Sequence, residues 1–152
     1  MMTKTKRPWV KKLLLTILVL AVAGAAIYWY VATENFADTK DRKADFTVNA
    51  MEFIDEFEMN EKEANNKYIN KIITVNGRVS EIEAVDMTVN VKFVDTTSGS
   101  YAIFSFQEQH RDEAKTVKVG DSVSIKGSCS GGILSEILGT HSITFKRCTL
   151  NR

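Results

Sequence analysis

The sequence of 152 residues has few of the residue types from which catalytic and metal sites are built. Its two histidines, His110 and His141, lie far apart in the chain, whereas a zinc site takes three or four protein ligands. The glycine-rich run 127–132 has no Gly-Lys-Ser/Thr sequence and no strand–turn–helix setting for a nucleophile elbow. We therefore expect a protein that is not an enzyme, with no catalytic residue, no metal and no cofactor.

Acidic residues are also missing before the first apolar run, although basic residues are present there: Lys4, Lys6, Arg7, Lys11 and Lys12. The run itself, residues 13–31, contains no charge. As a helix it would span about 28 Å, close to the ~30 Å core of a bilayer. Trp9 precedes the run and Tyr28, Trp29 and Tyr30 end it, and such rings favour both membrane interfaces. We predict a transmembrane anchor at residues 13–31 behind a basic cytoplasmic tail at residues 1–12.

A cleaved signal peptide is the alternative interpretation of this segment. Ala21, Val22 and Ala23 before Gly24 satisfy the small-residue cleavage pattern, but apolar residues continue to Val31, beyond that cut. No cysteine lies near the segment, which excludes a lipoprotein anchor of the usual bacterial kind. Basic residues stay in the cytoplasm. The sequence therefore predicts a single-pass protein of a bacterial cytoplasmic membrane with its C-terminal domain exported.

The charge balance argues against nucleic acid as a partner. Beyond the basic tail the chain has 20 − 5 = 15 basic and 19 acidic residues, a net charge of −4. Nucleic-acid affinity comes largely from the neutralisation of phosphates, so a mildly acidic domain is poorly suited to it. Residues 32–46 mix small and charged side chains, which is typical of a solvated linker.

The remainder, residues 47–152, predicts a mainly β domain with a helical start. Ala50, Phe53, Ile54 and Phe57 recur at helical spacing, with Thr47 or Asn49 as the cap. Asn60 and Glu63 resemble a capping box that opens a second short helix, with Ala64 and Tyr68 on its inner side.

Five strands are predicted after these one or two short helices. They fall at residues 71–82, 85–93, 101–106, 122–129 and 133–150, and a polar connection at 107–115 separates the third from the fourth. Gly77 indicates a bend or bulge in the long first strand. This order favours a five-stranded OB-fold-like barrel; another small β-barrel or a short sandwich is the alternative.

Two sets of residues carry a resemblance to a known family. One set runs through the predicted helices into the first strand: Asn49, Ala50, Phe57, Asn60, Glu61, Ala64, Asn65, Asn66, Lys67, Tyr68, Lys71, Val75, Gly77 and Val79. The other lies near the end: Gly120, Asp121, Val123, Lys126, Gly127, Cys129, Gly131 and Cys148. Both sets resemble the bacterial tRNA_anti-like family of OB-fold proteins. The resemblance implies an OB-fold with a helical lead, often behind a membrane anchor or lipoprotein signal, and it implies no catalytic residue.

The ligand surface of an OB-fold is usually the face of its second and third strands with the adjoining loops. In this sequence that face offers Thr88, Asn90, Lys92 and Tyr101, with Arg78 on the neighbouring strand. Single-strand binding requires several stacking rings and a basic groove, and Tyr101 is the one candidate ring here. We expect a membrane-tethered binding module with an envelope protein, peptide or glycan as partner. A nucleic-acid-binding protein is the second hypothesis and an enzyme of unknown type the third.

Cys129 and Cys148 are the only cysteines, and an exported domain permits a disulfide between them. If the last two strands pair as a simple hairpin around Gly131 and Gly132, the two cysteines lie too far apart to bond. A fifth strand that starts late would bring them together. The alternatives at this stage are a disulfide and two small core residues.

Overall fold

The computed structural model describes residues 8–33 and 38–152. Residues 1–7 of the predicted tail and residues 34–37 of the predicted linker lie outside the described residues. The chain divides into two units, residues 1–37 and residues 38–152.

The first unit contains one helix, α1 (Pro8–Thr33), which extends beyond the predicted anchor at both ends. Proline at the first helical position is favourable because its missing N–H would have no partner there. The stretch Trp9–Tyr30 is long and apolar enough to cross a membrane. Its side chains are exposed rather than buried, so the helix is not the core of a soluble domain.

The second unit begins at Asp38, before the predicted boundary at Thr47. A short 3-10 turn, Thr39–Asp41, is capped by the Asp38 side chain, which accepts from the N–H of Lys40. Thr39 is buried, and strand β1 (Phe46–Asn49) pairs in parallel with the next strand. Part of the segment predicted as a solvated linker thus contacts the domain through Thr39 and β1, while residues 40–43 are exposed.

The two short helices are confirmed. Helix α2 (Ala50–Met59) starts where Asn49 accepts a hydrogen bond from the N–H of Met51. Helix α3 (Glu61–Tyr68) starts at Asn60, whose side chain accepts from the N–H of Glu63 and donates to its carboxylate. All predicted inward residues of both helices are buried: Ala50, Phe53, Ile54, Phe57, Ala64 and Tyr68.

The domain is mainly β. Its described residues form one sheet of seven strands in the order β1-β2-β6-β7-β5-β4-β3. After β1 the strands are β2 (Ile72–Arg78), β3 (Glu81–Val85), β4 (Thr88–Val94), β5 (Tyr101–Phe106), β6 (Ser122–Ser135) and β7 (Thr140–Leu150). A 3-10 turn (Glu108–His110) and helix α4 (Arg111–Lys115) connect β5 to β6. β1 with β2 and β5 with β7 are parallel, and the other pairs are antiparallel.

The predicted count of five strands is wrong, and the sheet is open between its edge strands β1 and β3. One reason is the additional edge strand β1. The other is that the predicted first strand divides at Val79 and Ser80, where the chain changes partner. The N–H of Val79 donates to Asp121 beside β6, whereas the N–H of Ser80 donates to Lys92 in β4.

Two strand boundaries also differ from the prediction. The predicted second strand begins at residue 85, but Val85 ends β3 and Met87 lies in the β3–β4 turn, and both side chains are exposed. Gly131 and Gly132 do not end the fourth strand, because β6 continues through a bulge to Ser135. Gly131 adopts φ +105° at that bulge, a conformation that glycine tolerates without strain.

The core lies between the sheet and helices α2 and α3. Phe104 stacks on Phe145 with ring centroids 4.7 Å apart, and Phe53 of α2 contacts Phe145 at 5.5 Å. The strands and the residue that follows β2 add further buried side chains to this core: Val75, Val79, Val89, Val91 and Ile125. Burial of a Val or Ile side chain contributes about 1.5–3 kcal/mol.

Gly77 serves close packing instead of the predicted bend. It lies within β2 opposite Val123, two residues before the chain changes partner. A Cβ at this position would lie 2.7 Å from Cβ of Ala50 in α2 and 2.9 Å from Cδ2 of Phe93. The missing side chain therefore allows α2 to contact the sheet.

We predict that Gly77→Ala lowers the free energy of unfolding by about 1–3 kcal/mol, because the added methyl overpacks a closed site. Asn76→Ala, at the exposed neighbouring position, should change it by less than about 0.5 kcal/mol. Chemical denaturation of residues 38–152 measures both, and equal effects of the two substitutions would contradict the packing assigned to Gly77.

Candidate binding face and the loops around it

The predicted ligand residues of β4 alternate with its core residues. Val89, Val91 and Phe93 are buried, while Thr88, Asn90 and Lys92 take the intervening positions. Tyr101 begins β5 and is half-buried. The structure thus places four of the five predicted residues on β4 and β5, which are adjacent strands.

Lys92 does not offer a free positive charge on this face. Its ammonium group contacts Glu83 directly and lies 3.4 Å from Oε2 of Glu81, both on the neighbouring strand β3. The same group lies 5.3 Å from the centre of the Tyr101 ring, within range of a cation–π contact. The hydrogen bond to Glu83, together with the charges of both carboxylates, raises the pKa of Lys92. The one base and the one ring of this face are therefore engaged with each other and with two acids.

Asn90 has a different environment on the same strand. Its register partners are Glu83 on β3 and Ser105 on β5. Its side-chain oxygen is enclosed, and it is the one buried side-chain polar atom without a hydrogen-bond partner among the residues described. An unpaired acceptor of this kind costs about 1–3 kcal/mol.

Arg78 does not join the β4–β5 face. It ends β2 opposite Ser122 and lines an open depression with Asn49, Asn76 and Ser124. Thr88 is likewise committed locally, because its hydroxyl donates to the carbonyl of Val85 across the β3–β4 turn. Their assignment as ligand residues stays a prediction.

Sequence reasoning missed a group of exposed apolar side chains at the tip of the β6–β7 hairpin. Ile133 and Leu134 lie near the end of β6, Ile137 and Leu138 lie in the connection to β7, and Ile137 is 95% exposed. They were expected to belong to the fifth strand, which begins only at Thr140. The signal in the sequence was present, because adjacent apolar pairs do not follow the alternation of a half-buried strand.

The base of this hairpin is held by helix α3. The Asn65 side chain donates to the carbonyl of Gly132 and accepts from its N–H, at 2.9 and 2.8 Å. The Glu61 carboxylate accepts from the N–H of Leu134 at 2.8 Å and lies 3.4 Å from Nε2 of His141. The apolar tip is therefore presented on a braced hairpin.

His110 is buried. Its Nε2 lies 2.7 and 2.8 Å from the two carboxylate oxygens of Asp38, and its Nδ1 lies 3.8 Å from Glu113. Burial alone would raise the pKa of Asp38, but the hydrogen bonds from the Lys40 N–H and His110 outweigh it, so the net pKa is lowered. This contact ties the first residues of the domain to the segment after β5.

Three carboxylates meet at one corner of the surface. Asp55 and Glu58 on α2 and Asp95 after β4 place oxygen atoms within 4.8 Å of one another. Asp55 and Glu58 are exposed, so solvent screens much of their repulsion. The corner adds negative potential to a domain that is already acidic.

Cys129 and Cys148 are both buried and both free thiols. The fifth strand does start late, which places Cys129 opposite Phe145 and leaves Cys148 three residues further along β7. Burial raises the pKa of Cys129 to about 11 and that of Cys148 well above its ordinary value. The structure places both as buried core residues with free thiols, and a disulfide between them stays an untested alternative.

The sequence pattern of the tRNA_anti-like family matches residues 2–151. The chain belongs to the tRNA_anti-like family. The match confirms the resemblance seen over residues 47–150 and extends it through the N-terminal helix. Among curated proteins none matches the chain.

The solved structures that are similar to this tRNA_anti-like chain have low sequence identity to it. One is a "putative nucleic acid-binding lipoprotein" from Klebsiella pneumoniae, with a TM-score of 0.55 and 14% identity. The similarity covers 73% of this chain and 100% of that one. Another is asparaginyl-tRNA synthetase from Pyrococcus horikoshii, with a TM-score of 0.37 and 17% identity over 55% of this chain and 20% of that one. The likeness to the Klebsiella structure indicates an OB-like fold and says nothing of a ligand.

We predict that both thiols are unreactive in the native protein at pH 8 and react only on unfolding, because burial disfavours the nucleophilic thiolate. Titration with a chromogenic disulfide reagent, without prior reduction, should give almost no native signal and two thiols per chain in denaturant. A denatured sample that gives no thiol would show that the disulfide forms in solution.

Proposed function

We propose that the protein is a membrane-tethered binding module of the bacterial envelope, not an enzyme, and that its partner is a protein with exposed apolar surface. The proposal takes β2 and β3 as one bent strand, which together with β4–β7 makes the five strands of an OB barrel. The ligand loops of that barrel are then the β3–β4 turn and the β6–β7 hairpin.

The observation that carries this proposal is the character of those two loops. The hairpin groups four exposed apolar side chains, Ile133, Leu134, Ile137 and Leu138, and the turn adds Val85 and Met87 at the opposite end of the strands. Clustered exposed apolar side chains such as those of the hairpin mark protein or membrane contacts. Aliphatic groups make no hydrogen bonds, so they suit apolar protein surface better than the hydroxyl groups of a glycan. The same loops carry no lysine or arginine for phosphates.

The position of the hairpin favours a protein over the membrane that anchors the chain. The segment that follows the anchor is bound to Lys126 of β6, nine positions before the strand ends at Ser135. Strands rise about 3.3 Å per residue, so the hairpin tip lies roughly 30 Å along β6 from the point where the chain enters the domain. A hairpin that projects away from the entry point is suited to reaching a partner.

Nucleic acid is the second candidate, since the Klebsiella relative in structure carries that description. The β4–β5 face supports it poorly. Lys92 is neutralised by Glu81 and Glu83, and Tyr101 lies against the Lys92 ammonium. The chain beyond the basic tail has a net charge of 15 − 19 = −4, which opposes the phosphate contacts that dominate such binding.

The N-terminal helix is proposed to be an uncleaved anchor with the domain on the outer side of the cytoplasmic membrane. Five bases and no acid precede residue 13, so the N-terminus should remain in the cytoplasm. Reporter fusions at Arg152 measure this: an export-dependent enzyme should be active and a cytoplasm-dependent fluorophore dark. The reverse result would sink the topology. In a carbonate wash the anchored chain should stay with the membrane, while a cleaved domain would be released.

For nucleic acid we predict no binding tighter than about 10⁻⁵ M at physiological salt, the weak end of non-specific contacts. Fluorescence anisotropy of labelled single-stranded DNA and RNA with residues 38–152, at two salt concentrations, measures it. Tighter, salt-sensitive binding that disappears when Arg78, Lys92 and Tyr101 are all changed to Ala would favour the second candidate.

For the protein partner we predict that a photoreactive amino acid at Ile137 forms one discrete, protease-sensitive adduct in the full chain in its own cells. The apolar tip should be covered by the partner, because water-exposed aliphatic groups gain free energy on burial. The matched control carries the photoreactive amino acid at Lys115, an exposed position of α4. It should form no adduct. Adducts from both positions, or only lipid adducts from Ile137, would contradict the proposal.

A further inference from the structure

The first residues of the domain, Asp38–Ala44, form a segment that we call the strap. It is held mainly by polar contacts. The Lys126 ammonium group donates to the carbonyls of Lys40 and Arg42 at 2.7 and 2.9 Å. The N–H of Thr39 donates to Oε1 of Gln107 at 3.4 Å. Asp38 binds His110, as described above.

Both principal contacts use buried groups of the domain. Lys126 and His110 are buried, with exposures of 8% and 6%, and a buried charge or ring nitrogen is costly without partners. The hydrogen bonds described for the Lys126 ammonium both go to strap carbonyls. The domain therefore contains a binding site for the strap. Lys126 on β6 and His110 after β5 provide its side chains.

The strap itself contributes little apolar burial. Thr39 is its one fully buried residue, and Lys40, Arg42 and Lys43 are exposed. The strap forms no strand, and ladder pairing begins only at Phe46. Segments with few buried apolar contacts open at low free energy while the core stays folded. Opening of the strap is thus separable from unfolding of the domain.

We propose that the strap is a releasable latch that sets the length of the tether between anchor and domain. This inference rests on the membrane anchor proposed above. With the strap bound, the connection from Thr33 to Asp38 spans at most about 18 Å, from the reach of an extended chain. With it released, the connection runs to Asp45 and its extended reach rises to about 42 Å. A domain whose hairpin must meet a partner would gain more than 20 Å of reach on release.

The test measures the rate of tryptic cleavage of the full chain in lipid nanodiscs that each contain one copy of the protein. The strap contains three tryptic sites, Lys40, Arg42 and Lys43, and a protease cuts a segment only after local opening. Lys126→Met keeps the length of the side chain and removes the ammonium group. Cleavage within the strap should become about tenfold faster, as expected for the loss of two charge-assisted hydrogen bonds.

Lys118→Met is the matched control, because Lys118 is exposed and its side chain has no contact with the strap among the described interactions. It should leave strap cleavage unchanged. Asp38→Asn weakens the contact with His110 and should accelerate cleavage several-fold, which gives a second test if Lys126→Met fails to fold. Unchanged cleavage in a folded Lys126→Met chain and in Asp38→Asn would overturn the latch.

Tether length has its own measurement. A dye at Lys115→Cys and an acceptor on lipid headgroups report the separation by energy transfer, since the native thiols are buried. Transfer should fall in Lys126→Met and stay unchanged in Lys118→Met. Faster cleavage without a fall in transfer would overturn the tether part of the proposal. Release of the chain by carbonate would instead refute the anchor, while the cleavage result for the strap would still stand.

Discussion

Helix α2 contacts the sheet at two glycines, and the domain depends on this close approach. A side chain at Gly77 would collide with Ala50, and one at Gly132 would lie 2.5 Å from the Phe57 ring. Because neither strand carries a Cβ there, the aromatic face of α2 reaches Phe145 and Tyr68 and closes the core. The same contact positions α3, whose Asn65 and Glu61 then brace the β6–β7 hairpin.

The β4–β5 face and the loops around it differ in chemical character. On the β4–β5 face, Glu81 and Glu83 of β3 neutralise the charge of Lys92. The surface on which OB folds usually bind their ligands therefore offers no free positive charge from Lys92. The loops that frame this face carry aliphatic side chains. This combination explains why we propose a protein partner for a member of a family whose name refers to tRNA.

The N-terminal part of the domain links placement to binding. The strap lies at the root of β6, and the apolar tip lies at the far end of the same strand. One long hairpin therefore connects the point at which the chain enters the domain with the surface proposed for its partner. Release of the strap would change the distance over which that surface can search without altering the surface itself.

The sequence alone determined the features that depend on local pattern: the apolar helix, the caps at Asn49 and Asn60, the buried face of α2 and the alternation along β4. Each arises from neighbouring residues, so periodicity reveals it. The tertiary structure decided the rest. The pairing of Glu81 and Glu83 with Lys92, the burial of His110 by Asp38 and the change of partner at Val79 all join residues that are distant in the chain or depend on strand order. The apolar pairs Ile133–Leu134 and Ile137–Leu138 lie between these two cases: their spacing departs from strand alternation, and the register of β6 with β7 places them beyond the core.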